Sequence, residues 1–347
     1  MRKIKLMTPH VSWRAVWNAM RVLRSGQLAE GPQFKKFEAE FAQKFGFENV
    51  LALNSGTTAL ELAYELAGIG EGDEVITTVL TCIATNVPLL REKAKIVFAD
   101  VDYDLNMDVE DVKRKITPKT KAIVFVHFGG NNRGLKELLE IARDKKITLI
   151  EDAAQAVGSD FWGKADFTCV SLQAVKTLTS GDGGMLICKN KDHYERGRHL
   201  RWYGYNREER QRLGDVDPIG AGYKYHMNDI AAAIGRGNLA AIDKVILHRR
   251  ALMEAYKKID CIPGIWFASK IVNDRKGLTK FLKDHGVETG IYHYRNDQYT
   301  IFGGRQELKK MNEIEDKYMI LPTHHKVTVQ DVERIGELIR SYEISKS

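Results

Sequence analysis

At 347 residues the chain exceeds one average domain and can bury a substantial core without disulfide or metal staples. With 44% hydrophobic and 29% charged residues, seven prolines and no low-complexity tract, it has the composition of an ordinary soluble globular protein. The net charge of +7 comes from dispersed basic residues with no helix-turn-helix-like appendage, and no run is long enough to span a bilayer, so neither a nucleic-acid nor a membrane partner is expected.

The basic N-terminal stretch "MRKIKLMTPHVSWRAVW" lacks the apolar run of a signal peptide. Cys82, Cys169, Cys188 and Cys261 form no CxxC pair and no metal-ligand cluster, the pattern of reduced thiols in a cytoplasmic protein.

The first 250 residues alternate strand-like and helix-like segments. "NVLAL" (49–53) is a short apolar run, then Asn54-Ser55-Gly56-Thr57-Thr58 leads into "ALELAYELAG" at helical spacing. "DEVITT", "AKIVFADV", "KAIVFVHF" and "ITLIEDA" read as strands. "ATNVPLLREK" (despite Pro88), "DVEDVKRKI" and "LKELLEIARDKK" read as helices between them. Near-continuous β-branched runs separated by helices imply a parallel sheet covered on both faces.

After residue 166 come two more strand-like runs, "ADFTCVSLQ" and "GGMLICKN". The pattern is helical from "MNDIAAAIGRGNL" through "AAIDKVILHRRALMEAYKKI", and breaks at "CIPGIW" (261–266). Beyond lie "GLTKFLKDHGV", "ETGIYHYR" and "TVQDVERIGELIRSY". The expected organisation is a large domain over 1–249 and a small α+β domain over 250–347.

Three features fall at the carboxyl ends of strands, where an open α/β sheet binds ligands. "NSGTTAL" turns from strand to helix with several free N–H groups and hydroxyls, as a helix cap or an anion site would. Asp152 ends an apolar strand and needs a cation, a cap or a protonated ring nitrogen as its partner, with Gln155 three residues on. Lys176 stands between Ser171 and the turn Gly181-Asp182-Gly183-Gly184. A surface lysine would suit that position, and so would an amine whose burial readies it as a nucleophile. An anion site, an acid at a strand end and a lysine are together what pyridoxal phosphate requires for its phosphate, its pyridinium and its Schiff base.

The sequence resembles the DegT/DnrJ/EryC1/StrS family of pyridoxal-phosphate sugar aminotransferases, with the aspartate-aminotransferase fold. The resemblance covers nearly the whole chain and is carried by "GPQFKKFEAEFAQKFG", "NSGTTALELAYELAGIGEGDEVITT", "AKIVFADVD", "EDAAQAVGS", "SLQAVKTLTSGDGG", "GYKYHMNDIAAAIG" and "LPTHHKVTVQDVERI". It implies that Lys176 bonds the cofactor's aldehyde and serves as general base and acid, while Asp152 pairs with the ring nitrogen. Gly56, Thr57 and Ser171 would hold the phosphate and Gln155 would sit near the ring.

The resemblance further implies a homodimer in which Lys224 of "GYKYHMND" reaches the neighbouring subunit's cofactor phosphate. L-glutamate would donate an amino group, leaving pyridoxamine phosphate, and a keto sugar on a nucleotide diphosphate would accept it. A lysine rather than a histidine at 176 favours transamination over the dehydration performed by one branch of the family. A lyase or a silent cofactor-binding sensor on the same fold are the other readings.

Three departures stand out: Cys82 where an aromatic ring usually stacks on the cofactor, a short loop at "DFWGKADF", and a clipped C-terminal domain between Trp266 and Gly277. Tyr292, His293 and Tyr294 could line an acceptor site or form a half-buried strand. His324 and His325 read as solvated loop residues, Trp202, Tyr203 and Tyr205 as packing, and Arg249 and Arg250 as decoration of the long helix.

Overall fold

The computed structural model describes residues 2–346. A seven-stranded sheet comprises β1 (Val50–Leu53), β2 (Glu74–Thr78), β3 (Lys95–Ala99), β4 (Thr120–Val126), β5 (Thr148–Asp152), β6 (Phe167–Ser171) and β7 (Gly184–Cys188). Their order is β1-β7-β6-β5-β4-β2-β3, parallel throughout except that β7 runs antiparallel to both β1 and β6. These strands are the short β-branched runs of the sequence, and all but β3 are almost wholly buried, as strands covered on both faces must be.

Helices α1 (Trp13–Ser25), α2 (Pro32–Phe45), α3 (Gly56–Leu66), α4 (Ile83–Arg91), α5 (Val109–Lys115) and α6 (Leu135–Lys145) precede or connect the strands. Then follow α7 (Lys191–Leu200), α8 (Arg207–Leu213), α9 (Asp229–Leu239) and the long α10 (Ile242–Lys257). One face of the sheet packs on α3 through Leu60, Ala63 and Tyr64, the other on α2 and α9 through Phe34, Phe37, Phe41, Ala232 and Leu239. Pro88 sits inside α4 without breaking it.

The C-terminal part contains β8 (Ala268–Ile271), α11 (Arg275–Asp284), α12 (Lys309–Ile314), β9 (Tyr318–Leu321) and α13 (Val329–Ile344). β8 and β9 form an antiparallel pair whose core includes Leu278, Leu282, Ile335 and Ile339. The N-terminal segment joins this core: Ile4 is buried there, and its backbone bonds Gly286 and Glu288. Between Trp266 and α11 only the four residues of β8 form a strand, as the clipped sequence implies.

The short loop before β6 folds onto Glu151. That buried carboxylate accepts N–H bonds from Gly163 (2.9 Å), Lys164 (2.6 Å) and Ala165 (2.8 Å) and pairs with His127 at 2.8 Å. Burial pushes the Glu151 carboxyl up, but His127 and the amides outweigh it and hold the group below the usual range.

Three sequence expectations change. Residues 288–295 form isolated bridges rather than a strand, because Gly290 alone pairs with Ile320 and Arg295 with Leu80. His324 is buried, bonded to the Lys5 carbonyl and the Lys326 N–H, rather than solvated. Arg249 is buried too, donating to the carbonyls of Ile265, Trp266 and Thr323, and burial lowers its pKa to about 10. Arg250 does face solvent, paired with Asp160 at 2.8 Å.

Candidate active site

The turn from β1 into α3 carries a helix cap and leaves further donors beside it. Ser55 caps the helix: its hydroxyl accepts from Thr58 N–H at 3.0 Å, and the Thr58 hydroxyl answers the Ser55 N–H at 3.2 Å, a capping box. Thr57 takes no part, and its hydroxyl has no partner among the described residues. Gly56 opens the helix directly against Ser171 at the end of β6. A Cβ on Gly56 would lie 2.8 Å from the Ser171 Cβ and 3.2 Å from its hydroxyl. Free N–H groups, the Thr57 hydroxyl and Ser171 thus meet in a cradle that only glycine leaves open, which fits a phosphate group.

Asp152 ends β5, with 5% of its surface exposed. Among the described residues it forms no salt bridge with an arginine or lysine, though Lys176 lies within its electrostatic reach. Its Oδ2 accepts from the Thr85 hydroxyl at 2.7 Å and its Oδ1 from Ala154 N–H at 3.1 Å. The Thr81 and Thr85 hydroxyls are 2.8 Å apart. Since Thr85 donates to the carboxylate, Thr81 must donate to Thr85. A buried carboxylate supported only by neutral donors suits a cationic ring nitrogen.

Beyond Thr81 the polar chain continues into the C-terminal part. Asn296 donates to the Thr81 carbonyl at 2.8 Å and accepts from Asn86 at 2.9 Å, and Asn86 accepts from Thr77 at 2.8 Å.

Lys176 lies between β6 and β7. Its Nζ stands 3.7 Å from the Trp266 ring centre and 5.8 Å from that of Tyr292. Burial lowers its pKa to about 8, against the opposing pull of Asp152 and Cys82. An amine in that range is partly free near neutral pH, as a nucleophile requires. Gln155 accepts the Gly129 N–H at 2.7 Å and meets His293 Nε2 at 3.1 Å, which makes Gln155 the donor in that pair. Burial, then the Lys176 charge, lowers His293 to about 3, so its ring is neutral.

Cys82 is half-buried at the N-cap of α4, in the electrostatic reach of Lys176 and Tyr292. Lys224 lies elsewhere: its backbone carbonyl accepts from Asn54 at 3.2 Å, beside the α3 turn, while the residue itself is exposed.

Gly56, Thr57 and Ser171 therefore form one group, and Asp152, Gln155, Lys176 and Cys82 the adjoining one. Thr81, Thr85 and Trp266 were not singled out in the sequence. Threonines four apart in the strand-to-helix turn were a usable signal, whereas Trp266 served only to mark a boundary.

A lysine carried between β6 and β7, in a sheet of this strand order, defines the aspartate-aminotransferase type of pyridoxal-phosphate fold. The sugar aminotransferase CalS13 from Micromonospora echinospora superposes with a TM-score of 0.91 at 31% identity, covering 97% of this chain and 99% of that one. The GDP-perosamine synthase of Escherichia coli O157:H7 is 34% identical over 75% of this chain and 76% of its own length. The spore coat polysaccharide biosynthesis protein SpsC of Bacillus subtilis is 31% identical over 92% and 82%. The model of the DegT/DnrJ/EryC1/StrS aminotransferase family matches residues 14–259, and the chain belongs to that family. It is a pyridoxal-phosphate-dependent aminotransferase of the sugar-modifying class.

Proposed function

We propose that the protein transfers the amino group of L-glutamate to a keto group of a nucleotide-diphosphate-linked sugar, as a step of amino-sugar synthesis. The observation that carries this reading is a partly free lysine amine, Lys176, within the electrostatic reach of a buried carboxylate, Asp152, that forms no salt bridge among the described residues. Similarity to a GDP-perosamine synthase and to a sugar aminotransferase supports the substrate class.

In this reading Gly56, Thr57 and Ser171 hold the cofactor phosphate, Asp152 the ring nitrogen, and Gln155 and Cys82 border the ring. When bound, pyridoxal phosphate supplies an electron sink for a carbanion at the carbon bearing nitrogen. Lys176 Nζ bonds the cofactor and, once free, takes the proton from the substrate carbon and returns it. Trp266 and Tyr292 flank that amine with their rings, and His293 lies within its electrostatic reach.

Lys224 reaches the cofactor phosphate of a partner subunit in a homodimer, and its exposure within one chain supports that role. Four free thiols support a cytoplasmic location.

The test is near-visible absorbance of the purified protein before and after glutamate, beside Lys176→Ala. Bleaching of the lysine-bound cofactor band by glutamate, with the band altered in the variant, is expected. A protein that stays colourless after reconstitution would overturn the assignment. A band that glutamate leaves unchanged would move it to a dehydratase, lyase or sensor.

A further inference from the structure

Gln155 is buried, with 4% of its surface exposed, yet one of its amide hydrogens is unspent. Its Oε1 takes the Gly129 N–H at 2.7 Å, because a backbone N–H can only donate. That bond fixes which way round the amide sits, so its Nε2 faces His293 and donates to the ring Nε2 at 3.1 Å. An amide nitrogen carries two hydrogens, and the second has no partner among the described residues. A buried donor left in this way is costly unless a ligand meets it.

Both partners of Gln155 are themselves held, and every contact lies inside one subunit. Gly129 turns through a φ of 66°, and a Cβ there would come 3.0 Å from the Phe267 carbonyl oxygen, so the approach needs glycine. The Gly129 carbonyl accepts the Trp266 N–H at 2.9 Å, from the residue whose ring covers Lys176. His293 is 7% exposed, with its ring edge-on to Phe128 and Tyr292 at 6.2 and 4.7 Å between centres. Its carbonyl accepts from the Tyr318 hydroxyl. Just beyond it, Arg295 grips Asp297 through two bonds of 2.6 Å, and the Asn296 N–H bonds the Val79 carbonyl at 2.7 Å. Because its Nε2 accepts, the neutral ring carries its proton on Nδ1. The acceptor is thus fixed in place and in tautomer.

We propose that His293 is a positioning residue for the cofactor: by accepting one hydrogen of the Gln155 amide, it turns the other towards the ring oxygen of bound pyridoxal phosphate. The proposal rests on the reading that the cofactor lies between Asp152 and Lys176. Gln155 stands three residues after Asp152, on the turn that leaves β5, and the Lys176 charge reaches His293, so the unspent N–H borders that space. With the ring nitrogen on Asp152, the aldehyde on Lys176 and the phosphate in its own cradle, the ring oxygen is the acceptor left to meet it. Without an acceptor at 293 only Gly129 holds the amide, and a single bond leaves its plane free to turn. His293 therefore serves the cofactor, although it comes from the C-terminal part of the chain.

The experiment takes the full-length protein reconstituted with pyridoxal phosphate and reads cofactor affinity and the pH titration of the lysine-bound absorbance band. His293→Leu removes the acceptor and keeps an apolar side chain in its place. It should bind pyridoxal phosphate on the order of 10-fold more weakly, the scale of one hydrogen bond. A donor on the ring oxygen favours the form in which that oxygen bears the full charge. Its loss should therefore raise the titration midpoint of the band by roughly half a pH unit to one. His293→Gln sets an amide oxygen near where Nε2 stood and should return both readings towards wild type. In a Gln155→Ala background, His293→Leu should change neither reading further. Unchanged readings in His293→Leu, an equal change in His293→Gln, or full additivity with Gln155→Ala would each overturn the proposal. A wild type that stays colourless would instead overturn the cofactor reading on which it rests.

Discussion

The amine of Lys176 stands 3.7 Å from the centre of the Trp266 ring, and the indole N–H is itself anchored on the Val175 carbonyl at 2.9 Å. The ring is thus tied to the residue beside the lysine it covers. Arg249 holds the same segment from behind through the carbonyls of Ile265 and Trp266. A π face favours the charged amine, in opposition to burial, which favours the neutral one. Asp152 and Cys82 add to the charged side, while Tyr292 and the neutral His293 complete the surroundings.

Trp266→Leu therefore shifts Lys176 towards the neutral form. The rate at which the apoprotein takes up pyridoxal phosphate depends on neutral amine, so its pH profile should move down by roughly half a pH unit to one unit. Trp266→Phe should fall between. Stopped-flow absorbance across the neutral range reads this directly, and an unmoved profile would show that the ring only fills space.

Thr85 is a positioning residue for Asp152. Among the described residues its hydroxyl is the sole side-chain donor to that carboxylate, at 2.7 Å, and is aligned by Thr81 at 2.8 Å. Thr85→Val keeps the volume and removes the donor, at a cost of about 1.5–3 kcal/mol for a hydrogen bond to a charged group. Equilibrium titration of apoprotein should show pyridoxal phosphate binding weakened by one to two orders of magnitude, restored in Thr85→Ser. Equal loss in both variants would point to packing instead.

The sheet, the lysine and the acid were legible in the sequence because each rests on local pattern: apolar runs for buried strands, a turn with free donors, a charge at a strand end. What stayed hidden depends on long-range approach. Trp266 and Lys176 are 90 residues apart and Asn296 is 215 residues from Thr81, so no spacing rule links them. The same reason misplaced Arg249, whose three carbonyl partners come from loops well beyond its own helix. "GIYHYR" alternates like a strand, but its backbone is spent on separate bridges to two different elements.

Three histidines make stability depend on acid. Burial first, then nearby cations, lowers His293 to about 3 and His226 and His325 to about 4. Each is neutral in the folded chain where the unfolded chain, with a pKa near 6.5, already binds a proton. The unfolded state thus holds more protons between about pH 6.5 and 4, and stability must fall as pH drops through that window. The melting temperature should decline from pH 7 towards pH 5. His293→Gln should flatten the decline most, since His293 is the most buried of the three. A slope unchanged in that variant would mean that His293 does not titrate on unfolding.

The cross-subunit role of Lys224 has a test that a defect in one chain cannot imitate. Lys176→Ala removes the amine, and Lys224→Met removes the exposed cation without shortening the side chain. If Lys224 serves the partner's cofactor, a mixed dimer pairs the intact Lys176 of one subunit with the intact Lys224 of the other, and one of its two sites is complete. Random mixing makes half the dimers mixed, so about a quarter of wild-type turnover should return when the two proteins are unfolded and refolded together. If Lys224 acts within its own subunit, each site of the mixed dimer still carries one defect, and mixing restores nothing.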